Sequence, residues 1–229
     1  MPFSHEAFAE KLGIAIKRPE FFQEAITHRS YLNEHRSYEL NHNERLEFLG
    51  DAVLELVVTE YLYHTYTNPE GDLTSWRAAL VNGEMLAGIS KNLGVEEFLL
   101  MSKGEAKDTG RARQYLLANA MEAIIGALYL DQGYDAAKAF IMDRVVSHLP
   151  EVLKEGSYAD PKSRFQEIAQ EKMGLTPSYR VLRESGPDHD RHFISGVYLG
   201  EELIAEGEGQ SKQEAQREAA KNGLVVKGW

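Results

Sequence analysis

Residues 41–63 read Asn41-His-Asn-Glu44-Arg-Leu-Glu47-Phe-Leu-Gly50-Asp51-Ala-Val-Leu-Glu55-Leu-Val-Val-Thr-Glu-Tyr-Leu-Tyr63. Four acidic residues in this stretch recur at i, i+3, i+7 and i+11, namely Glu44, Glu47, Asp51 and Glu55. A helix rotates by about 100° per residue, so this spacing places all four on one helix face. Apolar residues cover the remaining faces, so we expect a buried helix with a buried or half-buried acidic stripe.

Carboxylates stacked this closely repel one another and lose hydration. An oxygen-preferring divalent cation relieves both costs, and Mg²⁺ is typically held by a few carboxylates together with waters and phosphate oxygens. The alternative is an amphipathic helix whose acidic face simply meets water. The polar arc is narrow and purely acidic beside Gly50, which favours a metal site.

Composition limits the classes of protein to consider. The 229 residues suffice for one substantial core plus a smaller domain. The absence of cysteine excludes disulfides and thiolate metal sites, and it favours a cytoplasmic protein. We expect no membrane association, since neither a signal peptide nor an apolar run of spanning length is found. The net charge of −11 argues against nonspecific nucleic-acid binding, so any such contact must be local.

The remainder of the first 154 residues reads as mainly helical. Predicted helices cover 5–12, 19–28, 73–93, 116–131 and 135–153, and residues 29–42 are predicted to form a loop. The segment 100–115 is the densest basic stretch, with Lys103, Lys107, Arg111 and Arg113 among glycines. It is suited either to phosphate contacts or to a solvated surface loop.

The predicted helix 116–131 is apolar almost all round except for Asn119 and Glu122. These two residues are i, i+3 neighbours on one face. A polar pair on such a helix must find a partner, and the acidic stripe of the first helix complements it if a cation lies between them. The alternative is a pair satisfied by backbone groups or water.

The pattern changes after a short polar linker at 155–159. A helix is predicted at 161–173, followed by strands at 178–184, 191–199 and 203–208. A last helix begins at Ser211, where Ser211 and Glu214 form a capping-box pattern. We therefore expect a helical domain over residues 1–154 and an α-β-β-β-α domain over residues 160–229.

Three motifs in order give the chain a resemblance to bacterial ribonuclease III. The first is Glu44-Arg-Leu-Glu47-Phe-Leu-Gly-Asp51-Ala, and the second is residues 116–131 with Asn119 and Glu122. The third is residues 160–226, similar to the family's double-stranded-RNA-binding domain. Its matching segments are Phe165-Gln-Glu, Gly186-Pro-Asp-His189, and Gly207-Glu-Gly-Gln-Ser-Lys212-Gln-Glu-Ala215 leading to Ala219-Ala220.

The resemblance implies an all-α endonuclease domain followed by a small α+β RNA-binding domain. It implies a homodimeric, Mg²⁺-dependent endoribonuclease, with Mn²⁺ able to substitute, that processes ribosomal, messenger and other structured RNA. Such an enzyme hydrolyses both strands of an RNA duplex and leaves 5′-phosphates, 3′-hydroxyls and short 3′ overhangs.

The resemblance also assigns residues by position. Glu47, Asp51 and Glu122 are implied as catalytic, metal-binding carboxylates, Asn119 as a further metal ligand, Glu44 as a neighbour and Phe48 as the dimer-interface aromatic. In the second domain, the implied RNA-binding residues are Gln166, Gln170, His189, Ser211 and Lys212.

Two positions depart from the family pattern. Asn119 stands where the family usually has Asp, and Gln213 stands where a second lysine is usual. Asn119 keeps open the alternative of a double-stranded-RNA-binding protein with a weakened or inactive nuclease domain. A second alternative is an acidic-cluster metalloenzyme acting on another phosphoester. A duplex-RNA cleavage assay with and without Mg²⁺ separates these readings.

Overall fold

The computed structural model describes residues 4–155, 161–187 and 191–229. The chain divides into two compact units, Met1–Tyr158 and Ala159–Trp229. This division falls inside the linker predicted at 155–159. Because residues 156–160 lie outside the described residues, the bounds of that linker remain a prediction. Among the described residues, no helix has both the length and the apolar character needed to cross a bilayer.

The first unit is helical. Its α-helices are α1 (His5–Leu12), α2 (Pro19–Ala25), α3 (Arg29–Glu34), α4 (Glu44–Thr65), α5 (Glu70–Val81), α6 (Gly83–Asn92), α7 (Arg111–Gln132), α8 (Tyr134–Arg144) and α9 (Leu149–Glu155). Short 3₁₀ helices lie at Val95–Phe98, Glu105–Lys107 and Val146–His148. The two long helices α4 and α7 pack against each other at the centre, and residues such as Leu54 and Ile124 are fully buried there. The all-helical architecture expected for this unit is confirmed.

The loop predicted at 29–42 contains a helix, α3, so that prediction was wrong for residues 29–34. The ring nitrogen Nδ1 of His28 caps α3 by accepting from the Ser30 backbone N–H at 3.3 Å. The Tyr31 and His35 rings stack with their centroids 3.8 Å apart. These contacts stabilise a polar helix that lacks the apolar periodicity on which the prediction relied.

The single helix predicted over 73–93 is two helices, α5 and α6, separated at Asn82. The Asn82 amide donates to the Ala79 carbonyl at 2.9 Å, and its side-chain oxygen accepts from the Met85 N–H at 2.9 Å. One side chain therefore satisfies backbone groups of both helix ends, which makes a break there favourable. The helix predicted at 135–153 is likewise divided, into α8, a 3₁₀ turn and α9.

The second unit contains α10 (Pro161–Met173), β1 (Ser178–Ser185), β2 (His192–Leu199), β3 (Glu202–Gly209) and α11 (Lys212–Lys227). The strands form one antiparallel sheet in the order β1-β2-β3. Its core contains Phe165 of α10, Val197 of β2 and Ala219 of α11. The predicted α-β-β-β-α order is confirmed.

Candidate functional site

The site is built on a close crossing of α4 and α7. A Cβ atom added to Gly50 would collide with the backbone oxygen of Glu122 and would lie 2.8 Å from the Gly126 nitrogen. A Cβ atom added to Gly126 would collide with the Leu46 backbone oxygen. Only glycine allows the two backbones to approach this closely. The crossing therefore brings α4, at the turn that carries Glu47 and Asp51, directly against the turn of α7 that carries Glu122.

Three carboxylates interact at this crossing. Burial raises the pKa of the Glu122 carboxyl from 4.5 to about 7, and repulsion from Asp51 and Glu47 adds to that rise. Burial also raises the pKa of Glu47, and repulsion from Glu44 and Asp51 acts in the same direction. Glu47 and Glu122 are half-buried, whereas Asp51 is exposed. The site thus concentrates negative charge in a partly dehydrated place, which a cation would stabilise.

Asn119 lies next to this charge, one turn before Glu122 on α7. It is half-buried, and its amide interacts with the Glu47 carboxyl, which opposes the rise in the pKa of that carboxyl. Because a carboxylate can only accept, the amide N–H is the group suited to this interaction. The amide oxygen remains able to face a cation, and an aspartate here would add a further negative charge.

Glu44 has a different environment from the other members of the stripe. Its carboxylate lies 3.2 Å from the Arg29 guanidinium and 3.8 Å from the His42 ring. Its charge therefore has protein partners already, and the residue lies beside the cluster. This Arg29 pairing could not be predicted from the sequence, because Arg29 lies on α3, which was predicted to be a loop.

The donor chemistry of the cluster fits a hard cation. Within the described part of the chain, no three Asp, Glu or His side chains already converge to enclose a metal ion. The pKa of Glu122 nevertheless responds to both Asp51 and Glu47, so the three charges lie within interaction range. Mg²⁺ keeps several waters and is usually bound by one or two carboxylates plus substrate phosphates. An open cluster of oxygen donors suits such an ion.

One arginine of the basic segment 100–115 has a structural role. Arg113 donates to the Asp108 carbonyl at 3.2 Å and to the Ala106 carbonyl at 2.8 Å, and it pairs with Glu96 at 3.6 Å. Arg113 is therefore occupied in holding the loop before α7, contrary to its interpretation as a phosphate contact. Lys103, Lys107 and Arg111 are exposed and remain suited to that role.

An exposed apolar stripe runs along α4, and this finding corrects the expectation of burial all round. Phe48 is 81% exposed, Leu56 57% and Tyr63 73%. Near the end of the stripe, α4 and α5 enclose a groove of about 430 Å³. Its lining residues are Thr59, Leu62, Tyr63, Glu70, Leu73, Thr74 and Arg77. Several large apolar side chains exposed along one helix are typical of an interaction site.

The predicted RNA-binding residues of the second unit are exposed where they are described. Gln166 and Gln170 lie one turn apart on α10. Ser211 caps α11 by accepting from the Glu214 N–H at 3.1 Å. The Glu214 carboxylate accepts in return from the Gln210 N–H at 2.8 Å, one residue before the expected partner. Lys212 is exposed in the first turn of α11; His189 lies outside the described residues.

Comparison with known proteins identifies relatives of both units. The family model described as Ribonuclease-III-like matches residues 18–149, and the model described as double-stranded RNA binding motif matches residues 161–225. The chain is 44% identical over 219 residues to Ribonuclease 3 of Enterococcus faecalis, covering 94% of each protein. It is 42% identical over 230 residues to Ribonuclease 3 of Bdellovibrio bacteriovorus, covering 97% of this chain and 95% of that protein.

A solved structure resembles the first unit. It is the nuclease domain of ribonuclease III from Campylobacter jejuni, in which a region involved in dimer formation shows structural flexibility. The match has a TM-score of 0.58 and 39% identity, and it covers 64% of this chain and 99% of that domain.

Proposed function

The chain belongs to the ribonuclease III family, and from this premise we propose that the carboxylates at the crossing of α4 and α7 are its cleavage site. The resemblance predicted from the sequence is confirmed, and the protein is an endoribonuclease acting on double-stranded RNA in a metal-dependent family. One observation carries the proposed location: burial raises the pKa of the Glu122 carboxyl to about 7, and repulsion from Asp51 and Glu47 adds to that rise, so the three carboxylates interact.

We infer that Glu47, Asp51 and Glu122 hold the catalytic cation, with the Asn119 amide oxygen as a further donor. When bound, Mg²⁺, or Mn²⁺ in its place, supplies an activated water and neutralises charge on the phosphate. The Asn119 amide stabilises the ionised form of Glu47, and the close approach of α4 and α7 at Gly50 and Gly126 fixes the separation of the two helices. Attack of water on phosphorus breaks the bond to the 3′ oxygen, which takes up a proton. The products are a 5′-phosphate and a 3′-hydroxyl.

The second unit supplies the recognition of the duplex. Side chains cannot read the narrow major groove of A-form RNA, so recognition depends on shape, phosphates and 2′-hydroxyls. Gln166 and Gln170 offer exposed amides on α10, and Lys212 offers a cation at the start of α11. The Ser211 cap lies at the positive end of the α11 dipole, where phosphate is attracted. His189 is proposed as a further contact from the family pattern alone.

We propose that the protein is a homodimer formed through the apolar stripe of α4. The proposal is supported by the exposed Phe48 and Leu56 and by the groove between α4 and α5, which give a second copy an apolar surface to cover. A two-fold axis would present Phe48 of one copy to the partner. Phe48→Glu should shift the protein to monomer in sedimentation and reduce cleavage; a monomeric wild type at micromolar concentration would contradict the dimer.

The cleavage site is tested by a Mg²⁺ titration of duplex cleavage, with RNA binding measured in parallel. Glu122→Gln should nearly abolish cleavage while binding survives, because it removes the charge that α7 contributes. Glu10→Gln, an exposed change on α1, is the matched control and should leave both unchanged. Full activity of Glu122→Gln at all Mg²⁺ concentrations would rule out this site.

The same titration tests how Asn119 affects the Mg²⁺ concentration that cleavage requires. We expect an active wild type, and Asn119→Asp should lower the Mg²⁺ concentration for half-maximal cleavage because it adds one charge. A wild type that is inert with Mg²⁺ and Mn²⁺, together with activity restored by Asn119→Asp, would favour the binding-protein alternative. No effect of Asn119→Asp would mean that Asn119 does not contact the metal.

A further inference from the structure

Tyr115 lies on the same face of α7 as the acidic site. It precedes Asn119 by four residues and Glu122 by seven, and residues at i, i+4 and i+7 line one face of a helix. At 1.5 Å of rise per residue, its Cα is about 10 Å from that of Glu122 along the helix axis. The residue therefore lies at the rim of the site, two turns from its centre.

Tyr115 is not part of the core. Its side chain is 66% exposed, whereas Leu116, Leu117 and Ala118, which follow it, are buried. A single exposed aromatic side chain is common on protein surfaces and by itself indicates nothing. Tyr115 differs from such residues in its position between charged groups on α7.

Tyr115 lies on α7 between the acidic site and an exposed cation at the start of the helix. Arg111 is exposed one turn before Tyr115, and Lys107 is exposed in the loop beyond it. Arg113 ties that loop down through the Asp108 and Ala106 carbonyls. Side chains on a helix lean toward its N-terminus, so the Tyr115 ring leans toward Arg111. An RNA strand that runs along this face of α7 from the carboxylates to Arg111 passes over the ring.

We propose that Tyr115 holds the nucleotide adjacent to the scissile phosphate by packing its ring against the ribose or base. The assignment rests on the proposed cleavage site. An aromatic surface suits this position because it contacts any nucleotide without reading its sequence, and because it adds no charge where carboxylates already repel phosphate. In this proposal the ring provides the main contact, and the phenol adds a hydrogen-bonding group for a 2′-hydroxyl.

The test compares Tyr115→Phe, Tyr115→Leu and Tyr115→Ala in the full-length protein, with Leu130→Ala as the control. Leu130 is also exposed on α7, near the opposite end. Steady-state and single-turnover cleavage of one duplex RNA are measured at saturating Mg²⁺, and the product ends are mapped. Duplex binding, sedimentation and melting temperature are measured for every variant.

We expect Tyr115→Ala and Tyr115→Leu to raise KM about tenfold, with a smaller change in kcat, because base–aromatic contacts have this magnitude. Cleavage should spread to neighbouring phosphates. Tyr115→Phe should remain within about twofold of wild type, since it retains the ring. Leu130→Ala should match wild type throughout.

Wild-type KM and cleavage positions in Tyr115→Ala would overturn the inference, as would a loss of dimer in that variant, which would make Tyr115 an interface residue. Equal losses in Tyr115→Phe and Tyr115→Ala would also contradict a contact made by the ring. The proposed cleavage site fails by a different result, namely an active Glu122→Gln enzyme. If that variant is active while Tyr115→Ala still weakens duplex binding, the RNA contact stands and the catalytic assignment fails.

Discussion

Glu122 links the stability of the metal-free protein to pH. Its pKa is raised from 4.5 to about 7, chiefly by burial, and the pKa of Glu47 is shifted in the same direction. Between pH 4.5 and about pH 7, Glu122 is protonated more often in the folded state than in the unfolded state. The free energy of unfolding therefore decreases as pH rises through this range. Because part of the side chain faces water, we expect Glu122 to contribute a loss of about 1–2 kcal/mol.

Thermal unfolding in EDTA at pH 5 and pH 8 measures this effect. Glu122→Gln removes the titrating group, so its melting temperature should change less between the two pH values than that of wild type. Glu10→Gln again serves as the control, since Glu10 is exposed and distant in sequence. Identical pH responses of wild type and Glu122→Gln would show that Glu122 ionises normally in the folded protein.

At the scale of helices, the crossing of α4 and α7 should not tolerate a side chain in place of either glycine that forms it. Gly50→Ala forces a methyl group against the Glu122 backbone, so we expect it to lower the free energy of unfolding by about 3 kcal/mol or more. Gly88→Ala is the matched control, because nothing lies within 4 Å of its added Cβ and it is exposed within α6. That change should stabilise by about 0.5–1 kcal/mol. Chemical denaturation measures both, and equal effects would refute a tight crossing.

The loop before α7 should depend on Arg113. Removing its guanidinium leaves the Asp108 and Ala106 carbonyls without this donor, so Arg113→Ala should open the loop more often. Trypsin should then cleave after Lys103 and Lys107 several-fold faster than in wild type, at temperatures well below unfolding. Arg111→Ala removes a neighbouring exposed cation and should leave cleavage at those lysines unchanged. Equal digestion of both variants would mean that Arg113 does not hold the loop.

Elements were predictable from the sequence where one local signal sufficed. Helix α1 has a Ser4 cap and ends at Gly13 with φ of 70°, and α10 and α11 begin at a proline and at a capping serine. Helix α3 was missed because its stability comes from a histidine cap and ring stacking. The break at Asn82 was missed because the sequence pattern does not show that its side chain both donates to the end of α5 and accepts from the start of α6.

The acidic cluster was predictable because helical spacing and the family pattern both identify Glu47, Asp51 and Glu122. The partners of the charged groups beside this cluster could not be predicted from the sequence. Pairing of Glu44 with Arg29 and the internal role of Arg113 depend on elements that meet only in the folded chain. The sequence likewise identified the apolar residues of α4 but could not show that Phe48 and Leu56 remain exposed.

For the whole molecule, the two units should divide the work. All the proposed catalytic residues lie in the first unit, Met1–Tyr158, so a chain ending at residue 156 should retain Mg²⁺-dependent cleavage at low salt. Its duplex binding should weaken and should fail sooner as salt rises, because the net charge of −11 leaves RNA binding dependent on a few local contacts. Cleavage and binding are measured across a salt series; no cleavage at any salt concentration would contradict this division.

The crossing of α4 and α7 also determines which backbone amides exchange most slowly with deuterated solvent. Opening either helix near Gly50 or Gly126 requires separating two backbones that touch without intervening side chains, so these amides should exchange only through global unfolding. The same order of exchange should persist in EDTA, since the contact needs no metal. We therefore expect the carboxylates to be carried by backbone that opens only when the whole unit unfolds. Metal binding therefore meets a scaffold that is already ordered, and little conformational entropy is lost when the ion enters.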